Sequence, residues 1–356
     1  MIIEGKEYLN KLITWKDKQL IKIVTGVRRC GKSVLLKMYQ DYLKNNGVKE
    51  SQIVTINFED LDYEELTNYK KLYNYLKEKL IPNKMTYIFL DEIQNVDQFP
   101  KVLDSLYIKD NVDIYVTGSN AYMLSSEIAT MISGRYIQIE MLPLSFKEYM
   151  ESTGNMNDRG IKYTEYLQNS SFPYALQLKN QLDEIRDYLE GIYNTIVVKD
   201  IVHRKNITDT MTSLGRKINS RTVEKYLEAF SESYIIYPAK RYNIKGKEYL
   251  KSLEKYYIVD IGMRYILLGS KMMDTGHILE NVVYLELLRR GYDVYVGKID
   301  NYEVNFVAQN HKGTIYYQVA LTVRDEKTLQ RELRPLQAIR DHYPKVILTM
   351  DEDPKI

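Results

Sequence analysis

Several things are scarce in this sequence. One cysteine, Cys30, in 356 residues excludes an internal disulfide. No apolar run approaches the ~20 residues needed to cross a bilayer. The N-terminal MIIEGKEYLNKL lacks the uninterrupted apolar core of a secretory signal. His203, His277, His311 and His342 lie too far apart for metal-ligand spacing, so no zinc site is expected. An excess of one charge is also missing: 50 Lys plus Arg stand against 48 Asp plus Glu. The net +2 gives no overall field toward nucleic acid or membrane, so any basic face must be local. Neither a repeat nor a low-complexity tract interrupts the chain. What remains has the apolar content of a folded protein, 44% hydrophobic, and length for two or three domains at roughly 150 residues each. These features read as a soluble cytoplasmic protein with no membrane partner.

From Gln19 to about Leu144, short β-rich runs alternate with longer helical stretches, the pattern of a parallel sheet covered by helices. The expected strands are LIKIVTG (20–26), QIVTINF (52–58), TYIFLDE (86–92), VDIYVTG (112–118) and RYIQIEML (135–142). They are nearly continuous in apolar residues, as for strands buried on both faces. The polar ESTGNMNDRG at 151–160 reads as a loop closing this unit. The expected organisation is an α/β nucleotide-binding core at 1–150, then a helical lid or connector at 151–207. Residues 208–260 read as helix, turn, helix and a β-hairpin turning at Gly246, the order of a winged helix-turn-helix. Residues 261–356 read as a further α/β domain, with helices at 279–290 and 328–342 and strands at 293–297, 303–308, 314–322 and 345–349. The chain ends in DEDPKI directly after a strand, which reads as a sheet cut short.

GVRRCGKS at 26–33 matches G-x-x-x-x-G-K-[ST] between an expected strand and the helix SVLLKMYQDYLK. Gly26 and Gly31 let the backbone curl so that its N–H groups and the helix N-terminus face phosphates. Lys32 neutralises the β and γ groups, and Ser33 holds Mg²⁺. Gly26, Val27, Arg28, Arg29, Cys30, Gly31, Lys32, Ser33 and Val34 are therefore the candidate ATP-binding residues, with Ser33 and Asp91 as metal ligands. Asp91 and Glu92 sit at the C-terminal end of a strand, where open α/β sheets place their chemistry. Asp91 suits the Mg²⁺ shell, and Glu92 is placed to polarise an attacking water. One strand later, Asn120, with Ser119 in reserve, is the choice to orient that water or sense the γ-phosphate. Arg135 either reaches the γ-phosphate of a neighbouring subunit, which implies a homo-oligomer, or joins an ion pair within its own subunit. Alkylation of Cys30 is expected to block nucleotide binding by bulk.

GVRRCGKS, FLDEIQ, VTGSNA and SGRYIQIEMLPLSF together resemble the prokaryotic AAA+-type ATPases of the P-loop superfamily. RKINSRTVEKYLEAFSESYIIYPAKRYNIKGK, EKYYIVDIG and LENVVYLELLRRGYDVYV resemble the winged-helix and restriction-endonuclease-like C-terminal region of one such family, whose cellular role is unassigned. The resemblance implies a five-stranded ATPase core in which Lys32, Ser33, Asp91, Glu92, Asn120 and Arg135 take the roles given above.

Residues 210–258 hold ten Lys or Arg and five Glu, a net +5, which leaves −3 for the rest of the chain. Positive charge is thus concentrated in the expected winged helix, and double-stranded DNA is the expected partner, with a protein partner as the alternative. The candidate contacts are Arg216, Lys217, Arg221 and Lys225 on the helices and Lys240, Arg241, Lys245 and Lys247 on the hairpin. A metal-dependent nuclease of the restriction type needs a helical Glu, a strand Asp and a Glu-x-Lys on the next strand. Here Glu280 fits the helix, but Asn305 stands at the Asp position and Gln318-Val319-Ala320 at Glu-x-Lys. Amides and an alanine supply neither the negative charge nor the ammonium, so a degenerate, non-cutting domain is expected, with Glu303 as an alternative migrated ligand.

Overall fold

The five apolar runs of the first part become the strands β1 (Ile21–Thr25), β2 (Ile53–Asn57), β3 (Thr86–Asp91), β4 (Val112–Gly118) and β5 (Tyr136–Glu140). All pair in parallel, in the order β2-β3-β4-β1-β5. The three inner strands are buried along their whole length, and the edge strands β2 and β5 only in part. The computed structural model describes residues 6–121, 132–154, 158–178, 181–197, 220–250, 254–269 and 275–352.

Because strand side chains alternate, each sheet face has its own packing. Ile21, Ile23, Ile88, Leu90, Ile114 and Val116 form an aliphatic layer, joined by Leu72 and Leu76 of α3 (Tyr69–Lys79) and by Leu103 and Leu106 of α4 (Phe99–Tyr107). The opposite face carries Val24, Tyr87, Phe89 and Tyr115, packed on Tyr8 and Leu12 of α1 (Lys6–Thr14) and on Leu35, Tyr39 and Leu43 of α2 (Lys32–Asn45). Lys22 also lies on this second face and is fully buried. Its Nζ donates to Asp113 at 2.5 Å and to the Lys18 carbonyl at 2.6 Å, while Tyr115 donates to Asp113 at 2.7 Å. A buried charge is tolerable only when paired and hydrogen-bonded, which this cluster achieves.

Beyond β5 come α5 (Phe146–Thr153), α6 (Arg159–Asn169), α7 (Leu182–Ile196) and α8 (Ser220–Glu232). A reciprocal Ser145/Glu148 capping box starts α5, and Gly154 at φ 72° ends it. The expected boundary at 150 therefore falls inside a helix. The chain divides into two units, Met1–Tyr234 and Ile235–Ile356.

In the second unit, β6 (Ile236–Ala239) pairs antiparallel with β9 (Lys255–Ile258). A six-stranded sheet runs β13-β12-β11-β10-β7-β8, comprising β7 (Arg241–Asn243), β8 (Glu248–Tyr249), β10 (Asp293–Ile299), β11 (Tyr302–Asn310), β12 (Gly313–Val319) and β13 (Lys345–Leu348). Here α9 (Ile261–Leu268), α10 (Thr275–Arg289) and α11 (Glu326–Gln337) complete the helices. The hairpin expected of a wing is part of this larger sheet. The hairpin β7–β8 does turn near Gly246, but β7 is hydrogen-bonded in parallel to β10, more than fifty residues downstream. The hairpin thus forms one edge of the second unit's sheet, and α8 and the hairpin fall on either side of the division after Tyr234. The first helix expected of the winged helix-turn-helix lies outside the described residues.

Candidate nucleotide site

The P-loop leaves β1 at Thr25 and enters α2 at Lys32, with Gly31 as N-cap at φ 107° and no side chain capping the helix. The uncapped first-turn N–H groups are available to an anion, as expected of a phosphate cradle. Gly26, at φ 143°, answers a further constraint. A Cβ there would stand 2.2 Å from the Met141 carbonyl oxygen, because Met141 donates its N–H to Thr25 at 2.8 Å and continues the β1–β5 ladder alongside the loop. Arg29 adopts a left-handed φ of 64°. Lys32 is buried, and its Nζ donates to the carbonyls of Gly26 at 3.0 Å and Val27 at 3.2 Å, with Glu92 Oε1 3.8 Å away. The Cys30 thiol is buried and pushed above its usual pKa by that burial. The alkylation expected of it thus requires opening of the loop.

Asp91 ends β3 beside this loop and Glu92 follows it, both buried. Thr117 on β4 organises the pair. Its hydroxyl donates to Asp91 Oδ1 and accepts from the Glu92 N–H at 2.8 Å. Burial pushes the Asp91 carboxyl up, only partly offset by hydrogen bonds from Ser33 and Thr117. Burial also acts to raise Glu92, but Lys32, Ser119, Gln94 and Arg28 outweigh it and hold Glu92 below the ordinary carboxylate range. Ser119 Oγ lies 2.6 and 2.5 Å from the two Glu92 oxygens, and Gln94 donates to the same carboxylate. Ser119 thus touches Glu92 directly, and Asn120 is buried one position further on. Glu92 itself sits at φ 54°, a left-handed conformation that a non-glycine residue holds only when its surroundings fix it.

A cavity of about 730 Å³ opens over the loop. Its lining combines charged and polar residues, among them Arg28, Lys32, Ser33 and Glu92, with apolar and aromatic ones, Tyr8, Met38, Met141, Pro173, Tyr174 and Tyr188. A lining that joins charged groups with aromatic and thioether ones suits a ligand with a phosphate tail and a flat, uncharged head. The apolar lining, Thr117 and Gln94 were not singled out from sequence; only the spacing of Gln94 behind Asp91-Glu92 signalled proximity. For a cation, the Ser33 hydroxyl and the Asp91 carboxylate are hard oxygen donors that suit Mg²⁺. Among the described residues no three His, Cys, Asp or Glu gather to hold a metal unaided, so phosphate oxygens would complete its shell.

Arg28 Nη1 lies 3.3 Å from Glu59 Oε1 at the cavity mouth. Arg135 is elsewhere. It precedes β5, and its carbonyl accepts from the N–H of Ile21 at the start of β1, the opposite end of the sheet from the P-loop. There it pairs with Asp104 and lies 5.3 Å from the centre of the Tyr107 ring.

Of the basic candidates, Arg216 and Lys217 lie outside the described residues, as does the side chain of Arg221, whose backbone is in α8. Lys225, Lys240 and Lys247 are exposed. Arg241 instead pairs with Glu303 at 2.7 Å and Lys245 with Asp300 at 2.6 Å. Glu280 is buried and accepts from Lys255 Nζ at 2.5 Å and from the Tyr257 hydroxyl. Asn305 Oδ1 accepts from the Val319 N–H at 2.9 Å. Gln318 accepts from the Asn305 N–H at 3.1 Å and donates to Glu332 at 3.0 Å. Gln318 needs both a donor and an acceptor for this bridge, which an ionised carboxylate cannot supply. Ala320 is buried beside β13, its N–H donating to the Leu348 carbonyl at 3.0 Å.

No described helix is long and apolar enough to cross a membrane. A family model described as an AAA domain matches residues 18–150, and one described only as a domain of unknown function matches residues 210–274. An uncharacterized protein of Haemophilus influenzae is 36% identical over 98% of this chain and 93% of its own length. One from Methanocaldococcus jannaschii is 31% identical over 90% of this chain and 79% of its own. Among solved structures, a Walker-type ATPase of Pyrococcus abyssi is similar at 14% identity and a TM-score of 0.48, over 75% of this chain and 96% of that one. AMPPCP-bound DnaA from Aquifex aeolicus is similar at 15% identity and a TM-score of 0.36, over 64% and 77%. With relatives matched along most of their length, the chain belongs to the family of these Haemophilus and Methanocaldococcus proteins, and the segment that builds its P-loop matches an AAA domain.

Proposed function

We propose that the chain is a Mg²⁺-dependent ATPase whose hydrolysis is coupled to engagement of double-stranded DNA by the basic segment and the second unit. The observation that carries the hydrolytic part is the convergence of Lys32, Ser33 and Glu92 on one cavity, with Asp91 hydrogen-bonded to Ser33 and Glu92 oriented by Ser119 and kept ionised. In this reading the amides of Gly26–Ser33 grip the phosphates, and Lys32 leaves the loop carbonyls for the β and γ oxygens. Ser33 and Asp91 hold the cation, which supplies charge neutralisation at the terminal phosphates. Glu92 orients the attacking water and accepts its proton, with Asn120 close by as a γ-phosphate sensor. Arg135 is too far from the P-loop of its own subunit, separated by the roughly 16 Å length of a five-residue strand. Its proposed action on a γ-phosphate is therefore on a neighbouring subunit of a homo-oligomer. Lys32→Ala should abolish ATP binding, and Glu92→Gln should keep binding while stopping turnover; equal hydrolysis by wild type and Glu92→Gln would remove Glu92 from this role.

DNA engagement is supported by the local charge excess and by the exposure of Lys225, Lys240 and Lys247. Turnover that rises with duplex DNA, and less so as salt increases, is the expected result. A second reading, a nucleotide-gated switch that binds a protein partner, is favoured by the internal pairing of Arg241 and Lys245, which withdraws two cations from phosphate contact. Turnover indifferent to DNA at every salt concentration would select it. The second unit is proposed to be non-cutting, since Glu280 is held by Lys255 and Tyr257, and Asn305 and Gln318 bond to the backbone. Mg²⁺-dependent cleavage lost on Glu280→Ala would overturn that.

A further inference from the structure

Tyr234 does not line the nucleotide cavity, yet it is buried, 5% exposed, and holds a left-handed φ of 58°. It follows α8, its N–H donating to the Ser231 carbonyl at 3.0 Å. Its hydroxyl meets two side chains of the ATPase sheet. Gln138 on β5 donates its Nε2 to Thr25 Oγ1 at 2.9 Å and approaches the Tyr234 oxygen at 3.4 Å, and the Thr25 and Tyr234 hydroxyls are themselves hydrogen-bonded. Thr25 is the last residue of β1, directly before Gly26, and its carbonyl receives the Met141 N–H that closes the strand against the loop. A three-way polar contact thus ties Tyr234 to the root of the phosphate cradle.

The next residue begins the second unit. Ile235 is 2% exposed, and its carbonyl accepts from the Val259 N–H at 2.8 Å beside the β6–β9 pair. One peptide bond therefore joins a residue anchored on the P-loop strand to one anchored in the second unit. With the peptide itself planar, only ψ of Tyr234 and φ of Ile235 lie between the two anchors, far fewer free torsions than a flexible linker offers. A left-handed tyrosine is costly unless its surroundings hold it, which makes its geometry responsive to those surroundings.

We propose that Tyr234 is a positioning residue that couples the P-loop strand, through Thr25 and Gln138, to the first strands of the second unit, so that phosphate binding is felt at Ile235–Ala239. The inference rests on the ATPase reading and goes beyond it by naming the route. Hydrogen exchange on the full chain, with and without saturating Mg·AMPPCP, tests it. In wild type the analogue should protect the P-loop peptide and change exchange at 235–239 by about fivefold or more. In Tyr234→Phe, which keeps the ring, P-loop protection should persist at saturation while the response at 235–239 disappears. KM for ATP should rise about fivefold, the size of one lost neutral hydrogen bond, with kcat nearly unchanged. Thr25→Val should reproduce this, and the double variant should be no worse than either single, because the same contact is lost. Should Tyr234→Phe fold poorly, Gln138→Met removes the bridging donor from the other side. A protected P-loop with no response at 235–239 in wild type, or a response that survives Tyr234→Phe, overturns the inference and leaves the ATPase reading intact. An unprotected P-loop in wild type overturns both.

Discussion

Replacing Thr117 by Val, nearly equal in shape, should test how the acidic pair is held. Thr117 is fully buried, so no water takes the place of its hydroxyl. The change removes a donor from the Asp91 carboxylate, worth about 1.5–3 kcal/mol for a charged acceptor, and leaves the Glu92 N–H buried without a partner, about 1–3 kcal/mol. The two losses share one atom and are not additive, so a destabilisation of about 3 kcal/mol is expected. For a unit of this size, each kcal/mol moves Tm by roughly 2–4 °C, so calorimetry should find the first unit melting roughly 6–12 °C lower. Losing that donor also raises the Asp91 pKa further, so the acid limb of Mg·ATP turnover should move to higher pH. Thr117→Ser keeps the hydroxyl and should behave as wild type on both measures. Unchanged melting of Thr117→Val, or equal damage from Thr117→Ser, would refute the bridging role.

Gly26→Ala should lose ATP binding at least tenfold, since its Cβ meets the Met141 carbonyl at 2.2 Å and the loop must shift; calorimetric titration would show it. Lys22→Ala leaves Asp113 buried and uncompensated and should destabilise by about 3–5 kcal/mol in denaturant unfolding, whereas Lys22→Met with Asp113→Leu should recover much of the loss. On acidification, the raised Asp91 and depressed Glu92 act oppositely on folding. Asp91 contributes stability present below its unfolded pKa and lost as pH rises through the folded one. Glu92 contributes stability present above its unfolded pKa and lost as pH falls through the folded one. Affinity for Mg·ATP should nonetheless fall as pH drops through the raised Asp91 pKa, because only the ionised carboxylate holds the cation; a pH-independent affinity across that range would count against Asp91 as a ligand. The native Cys30 thiol should resist iodoacetamide near neutral pH and react on unfolding, as thiol titration would report.

The sheet and its cradle were legible because their signals are local. Continuous apolar runs mark strands buried on both faces, and Gly26, Gly31, Lys32 and Ser33 declare the loop by spacing alone. Thr117 was not legible as the bridge, since only the register of β3 on β4 brings its hydroxyl to Asp91 and the Glu92 amide. That Ser119 meets Glu92 was not legible either, because it depends on how the chain turns after β4. Arg135 gave no sign of Asp104, thirty-one residues earlier on a helix. Strands β10 to β13 were legible nearly at their observed limits. The pairing of β7 with β10 was not, because it joins segments separated by two helices and is written in no local pattern.

That pairing sets where the chain can be divided for separate expression. A fragment stopped at 260 would carry β7 and β8 stripped of β10, presenting raw backbone donors and acceptors to any neighbouring molecule, and should be prone to precipitate. A cut between 234 and 235 breaks no ladder among the described residues, so two fragments made there should each stay in solution.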